Sequence, residues 1–302
     1  MTAQASVSFI TVRRRFDFRS IEVGRWVTPQ ERDRAAGRFY RALTDLLTIL
    51  KGPEALVSLR GSLSLQYGIG GRPGVAAHYI PATRQLALAK NAGAGSLAHE
   101  WFHAFDHYMG SKAFRNSGKH GFASAAWLDS ADQKEHPLNE LLSNCFRTIL
   151  LNEEGTQPSE LFHCSQQADQ QRNVLYYAQP EELCARAFEA FIEDSEPGNS
   201  FLVRGTLYSE EAKAGLYPMG KHRQDINAAF ARYFESLGRA LFRELAKAGG
   251  GLSLSDAEIT PCGAAQDTAQ HHCAVAGSAH RKGSSACTPS LREHRLSQPG
   301  VT

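Results

Sequence analysis

The stretch Ser96–Gly110, SLAHEWFHAFDHYMG, sets three histidines, a glutamate and an aspartate into a segment that is otherwise apolar. Two readings compete for it: a core helix with incidental histidines, or half of a metal site that needs a further ligand. On a helix, residues four apart share a face, so His99 and His103 can turn both imidazoles toward one point outside it. Glu100 lies about 100° further round, placed to touch a water held at that point without being a ligand itself. A core helix would instead have to bury His99, Glu100 and His103 with their polar atoms hydrogen-bonded.

The spacing is HExxH, the arrangement in which two histidines hold zinc and the glutamate is the general base of peptide hydrolysis. The glutamate takes a proton from the attacking water and passes it to the leaving amine. What precedes the helix supports this reading. Between Leu56 and Ala89 the short alternating segments LSLQYGI, VAAHYI and QLALA are broken by glycine and proline, and PATR joins the last two as a hairpin. NAGAG ends the sheet, and Ser96 is placed to cap the helix. A hairpin in that position leaves an edge strand free to pair with an extended substrate.

Zinc needs a third protein ligand, and HExxHxxGxxH would place it in the same helix; Asp106 and Met109 stand at those positions instead. His107, on the next turn, is too far along the axis to converge with both other histidines. The helix that begins at Pro180, PEELCARAFEAFIED, puts Glu182, Ala185, Arg186 and Glu189 on one face. Glu182 is the leading third ligand and the small Ala185 lets the two helices approach. Glu189 is either the competing ligand or a partner that orients a histidine. Against this stands a surface carboxylate at Glu182 paired with Arg186 at i+4. As donor to the developing oxyanion, Tyr176, six residues before Glu182, leads Tyr177 and His78.

Helices surround these motifs. TPQE is a capping box with Thr28 as N-cap and Glu31 reaching back, followed by Phe39, Leu43, Leu46, Leu47 and Leu50 on one face, and it ends before Gly52-Pro53. Leu138–Leu150, Pro158–Leu175 and His222–Leu245 also read as helices, the last with Ile226, Phe230, Tyr233, Phe234, Leu237 and Leu241 as its apolar stripe. No aromatic residue follows Phe242, and from about Ala248 glycine, serine, alanine, glutamine and histidine run without apolar period. We therefore expect a domain over 1–247 and a disordered tail over 248–302. The tail's Cys262, His271, His272, Cys273, His280 and Cys287 lack the paired spacing of a zinc finger.

The 302 residues carry 33 Lys and Arg against 31 Asp and Glu, a net charge of +2 that gives no electrostatic footprint for nucleic acid or an anionic membrane. Arg13, Arg14 and Arg15 read as a solvated strand end. No apolar run approaches the roughly 20 residues of a membrane span, and the N-terminus lacks a signal-peptide pattern, so a cytoplasmic protein is expected. The six cysteines read as reduced thiols, with Cys145, Cys164 and Cys184 in helices. Nothing in the sequence fixes an oligomeric state.

Four blocks, FDFRSIEVGRWVTPQERDRAAGRFYRALTDL, AHYIPATRQLALAKNAGAGSLAHEWFHAFDHYM, PEELCARAFEAFIED and LYPMGKHRQDINAAFARYF, together resemble the first of the large polyvalent protein-associated domains and a related bacterial group labelled CLCA_X. The resemblance runs from about Phe16 to Phe242, with the blocks in the family's order. EELCARAFEAF is also similar to the glutamate helix of anthrax lethal factor-like peptidases. The resemblance implies an α+β, zincin-like metallopeptidase domain of a mobile genetic element, mostly helical, with a small hairpin sheet before the metal helix. It implies one zinc ion held by His99, His103 and Glu182, Glu100 as catalytic acid and base, Tyr176 as the site tyrosine, and a peptide or protein as substrate. Phe102 departs from the family, which more often has glycine there, and so bears on how closely a substrate approaches that helix. Two rivals remain: a zincin-shaped interaction module without catalysis, and a nucleic-acid accessory protein, which would need a basic face.

Overall fold

The computed structural model describes residues 7–69, 77–90, 95–116, 121–195 and 198–248. Ser8 caps α1 (Phe9–Phe16), whose Phe9, Val12 and Phe16 are buried at helical spacing. Arg13–Arg15 are thus the last turn of a helix, not a strand end: the apolar period of three to four puts them at a helix C-terminus, where positive charge is favourable. After β1 (Ile21–Val23), α2 (Pro29–Leu50) opens on the expected capping box. The Glu31 N–H donates to the Thr28 hydroxyl at 3.3 Å, and the Thr28 N–H donates to the Glu31 carboxylate at 2.9 Å. The helix buries Phe39, Leu43, Leu46 and Leu50 and stops at Lys51, in left-handed conformation, before Gly52-Pro53.

A short α3 (Glu54–Val57) leads to β2 (Ser64–Tyr67), then to β3 (Ala77–Ile80) and β4 (Gln85–Leu88), which form the expected hairpin across Pro81–Arg84. Among the described residues the sheet order is β1-β2-β4-β3, with β1–β2 and β2–β4 parallel and β3 the antiparallel edge. Ile21, Leu65, Leu86 and Tyr79 stand in one register row and are buried or half-buried. That face supports the helix that follows.

The rest of the chain is helical: α4 (Leu97–Ala113), α5 (Ala123–Leu128), α6 (Pro137–Leu150), α7 (Glu160–Arg172), α8 (Pro180–Ser195), α9 (Glu210–Lys213) and α10 (Gly220–Ala248). Ser96 precedes α4 as expected, but its side chain makes no capping bond. Its backbone is already near-helical (φ −87°, ψ −10°) instead of extended, which is the geometry a capping hydroxyl needs. The expected helix over Pro158–Leu175 is shorter, because Asn173 turns left-handed and ends it.

The core forms where α4, α8 and α10 meet. Trp101 stacks on Phe105 and Phe188 with ring centroids 5.4 and 5.5 Å away, and donates its indole N–H to the Val57 carbonyl at 2.8 Å. Phe102 packs on Phe188 and Phe230. Burial of this apolar face fixes the rotation of α4, so its polar edge, with His99, Glu100 and His103, must face away from the aromatic cluster. Cys145 and Cys184 are buried free thiols, and Cys164 is half-buried. The molecule is therefore a mixed α and β fold, mostly helical, with one small four-stranded sheet among the described residues. No helix among them is long and apolar enough to cross a membrane. The expected tail, with its cysteines and histidines, lies outside the described residues.

Candidate metal centre

α8 packs on α4, with Ala185 fully buried. This brings His99, His103 and Glu182 together, with one potential ligand atom of each within 4.8 Å of the others. The two imidazole Nε2 atoms are 3.0 Å apart. Glu182 Oε2 lies 3.3 Å from His99 Nε2, and Oε1 lies 3.4 Å from His103 Nε2. For ligands at about 2.0–2.1 Å from zinc, the edge of a tetrahedron is about 3.3 Å, so these spacings suit one small cation.

Proton placement points the same way. His99 Nδ1 is 3.1 Å from Glu189 Oε2; a carboxylate accepts, so Nδ1 carries the proton and a neutral ring leaves its lone pair on Nε2. That lone pair faces the Glu182 carboxylate and the second imidazole. The contact is favourable only with a proton or a metal ion between them. Buried Glu182 Oε2 and His103 Nδ1 have no hydrogen-bond partner, so the 3.3 Å contact from His99 to Oε2 is electrostatic only. Burial acts to lower the His99 pKa, but the charges of Glu189 and Glu182 and the hydrogen bond to Glu189 outweigh it and raise it well above the usual value. For Glu182, burial acts upward and is outweighed by His103 and His99, which hold the carboxyl well below the usual range. A buried carboxylate held ionised beside two imidazole nitrogens is a donor set whose chemistry, like its spacing, suits a small cation.

Glu189 thus acts as a partner of His99. Among the described residues it is not in the ligand group. The Tyr217 hydroxyl donates to the same Oε2 at 3.1 Å. Arg186 is not paired with Glu182: it donates to the carbonyls of Leu216 at 2.7 Å and Tyr177 at 2.6 Å, and to the Ser165 hydroxyl at 3.0 Å. The surface-pair reading of Glu182 therefore fails, since both side chains are buried.

Glu100 is half-buried on the exposed edge of α4. Tyr176 is brought to the same place: although the residue as a whole is 38 % exposed, burial, the Glu182 charge and a hydrogen bond to Glu182 raise its pKa well above the usual value. Glu100 contributes to that rise, so its charge lies near the same hydroxyl. Asp169 builds the turn that presents Tyr176, accepting from the N–H groups of Tyr176, Tyr177 and Ala178 at 3.2, 2.8 and 2.9 Å. Tyr177 turns its ring to Arg172 and Arg186. His78 alternates with Tyr79 on β3 and so faces the other side of the sheet from α4.

The remaining polar residues of α4 pack. His107 Nδ1 bonds the Tyr79 hydroxyl at 2.8 Å, which ties α4 to the edge strand. Phe102 points into the core, so its size does not obstruct the polar edge. Asp106, 1 % exposed, accepts from the Ser124 N–H at 2.9 Å and from the Ser124 hydroxyl. Burial pushes its pKa up to about 6, against the Ser124 hydrogen bonds. A folded pKa above the unfolded value of about 3.9 means stability that is full below that pH and is lost as pH rises through about 6. Asp106→Asn, which cannot ionise, is expected to gain roughly 2–3 kcal/mol relative to wild type between about pH 4 and pH 7. Urea unfolding of both proteins at the two pH values measures this, and a parallel pH dependence would refute it.

Sequence reasoning missed Tyr217, Asp169 and the true contacts of Arg186. Tyr217 stands in the quoted block LYPMGKHRQDI, but no periodicity connects it to α4. No curated protein and no solved structure matches the chain. Residues 168–241, which include Asp169, Tyr176, Glu182, Glu189 and Tyr217 but not the HExxH helix, match the family model of the large polyvalent protein-associated domain 1.

Proposed function

We propose that the protein is a zincin-like, zinc-dependent peptidase, with His99, His103 and Glu182 as ligands of one zinc ion. The observation that carries this is the convergence of the three ligand side chains from two separate helices, beside the glutamate of HExxH. Zinc held there supplies Lewis-acid chemistry, acidifying a water and polarising a carbonyl.

The chain's own residues supply the rest. Glu100 accepts a proton as the water oxygen bonds to the scissile carbon, and returns it to the amine as the C–N bond breaks. Tyr176, kept protonated by its raised pKa, donates a hydrogen bond to the carbonyl oxygen as negative charge develops there. β3, an edge strand packed beside α4, offers backbone groups to an extended peptide. Glu189 keeps His99 in the tautomer that presents Nε2. The free thiols of Cys145, Cys164 and Cys184 support a cytoplasmic setting.

The test is direct. The purified protein should hold one zinc per chain by elemental analysis and should cleave an unfolded protein; chelation should stop the cleavage and added zinc restore it. Zinc binding without cleavage would leave the interaction-module reading standing, and no zinc binding would remove both the metal and the peptidase.

A further inference from the structure

We infer that Tyr217 is a positioning residue of the metal centre, acting on His99 through Glu189; this rests on the zinc reading above. The chain of contacts is short. The Tyr217 hydroxyl and His99 Nδ1 each lie 3.1 Å from the same oxygen, Glu189 Oε2. Two donors on one carboxylate oxygen fix its direction, and a fixed carboxylate fixes the His99 ring. Nε2 is then presented to Glu182 and His103.

Tyr217 comes from the link between α9 and α10, outside the two helices that carry the ligands. That link is built to hold it. The carbonyl before it, Leu216, accepts from Arg186 at 2.7 Å, and the carbonyl after it, Pro218, accepts from Arg223 at 3.4 Å. Both guanidiniums are buried. Arg223 is held in turn by Asp194 at 2.7 and 2.8 Å and by Thr206, and Arg186 by Tyr177 and Ser165. Two buried arginines, from α8 and α10, therefore clamp the backbone on either side of a single tyrosine whose hydroxyl meets the metal centre. Arg186 also holds the carbonyl of Tyr177, next to Tyr176. One side chain thereby ties the turn that faces Glu182 to the link that faces Glu189.

A tyrosine that merely satisfied a buried carboxylate would affect folding but not metal affinity through Glu189. The two roles separate in a double-variant cycle. Zinc affinity is measured by competition with a chromophoric chelator for wild type, Tyr217→Phe, Glu189→Ala and the double variant. Tyr217→Phe should weaken zinc binding by about 10–100-fold. In the Glu189→Ala background the same substitution should change nothing, because the hydroxyl has lost the group it acts through. Equal affinity in wild type and Tyr217→Phe, or the same loss in both backgrounds, overturns the inference. If Tyr217→Phe does not fold, NMR of the zinc-loaded wild type gives the answer, with proton–nitrogen correlation reading the His99 tautomer and proton NOE and exchange spectra reading the Tyr217 hydroxyl. A slowly exchanging Tyr217 hydroxyl proton with His99 protonated on Nδ1 supports the chain of contacts, and its absence or the opposite tautomer overturns it. A wild type that binds no zinc is a different failure, that of the zinc reading itself.

Discussion

Glu100→Gln is expected to leave zinc binding unchanged while lowering peptide turnover by about 10²–10⁴-fold, the usual contribution of a positioned general base. The reason is a division of labour along one helix edge. His99 and His103, four apart, face Glu182, whereas Glu100 is rotated off that direction and is not in the ligand group. Glutamine keeps the volume and a hydrogen-bonding oxygen but cannot accept the proton that the attacking water must lose. The substitution also removes a negative charge near the Tyr176 hydroxyl, so the pKa of that tyrosine should fall only slightly, since burial and Glu182 still hold it well above its ordinary value and the donor is kept. Zinc content and initial rate measured on one preparation test the claim. Activity equal to wild type would end the peptidase reading, and loss of zinc would make Glu100 a ligand.

The parts of this site that were legible in the sequence are those written in helical period. HExxH and the Glu182–Ala185–Glu189 face each lie within one helix, where spacing dictates direction. The same periodicity could not choose between Glu182 and Glu189, because both fall on the face turned to α4. The two glutamates differ in the structure by the side of one imidazole that they meet: Glu182 meets Nε2 of His99 and Glu189 meets Nδ1. That is a fact about how two helices pack, which neither helix encodes alone. The hairpin was legible because β3 and β4 are neighbours in sequence, whereas β1, three residues long, pairs in parallel with a strand far along the chain. Tyr217, Arg186 and Asp169 were hidden for a related reason: Tyr217 reaches Glu189 from a loop, and Arg186 and Asp169 act on backbone carbonyl and N–H groups that no side-chain pattern marks. The arginine between two glutamates looked like an i+4 ion pair. Burial gave it backbone carbonyls instead.

Glu182→Gln should abolish zinc binding at concentrations that saturate the wild type. The loss should exceed the ~10–100-fold that follows removal of a partner outside the coordination shell, which is the size expected for Glu189→Gln. Three properties of Glu182 lead to this order. It stands within 3.4 Å of both Nε2 atoms, whereas Glu189 touches only Nδ1 of His99. Its pKa is held well below the ordinary range, because the histidine charges outweigh the burial that opposes them, so it remains an anion in a buried site. Its Oε2 has no hydrogen-bond partner, which leaves that oxygen available to a cation. Glutamine fits the same space without the charge; because the depressed pKa of Glu182 also stabilises the metal-free fold, that form should unfold at a lower temperature, and affinity is compared below that temperature on folded protein. Chelator competition on both variants, with thermal unfolding of the metal-free forms, measures the order. Full zinc occupancy in Glu182→Gln would refute the ligand assignment, and a larger loss in Glu189→Gln would exchange the roles of the two glutamates.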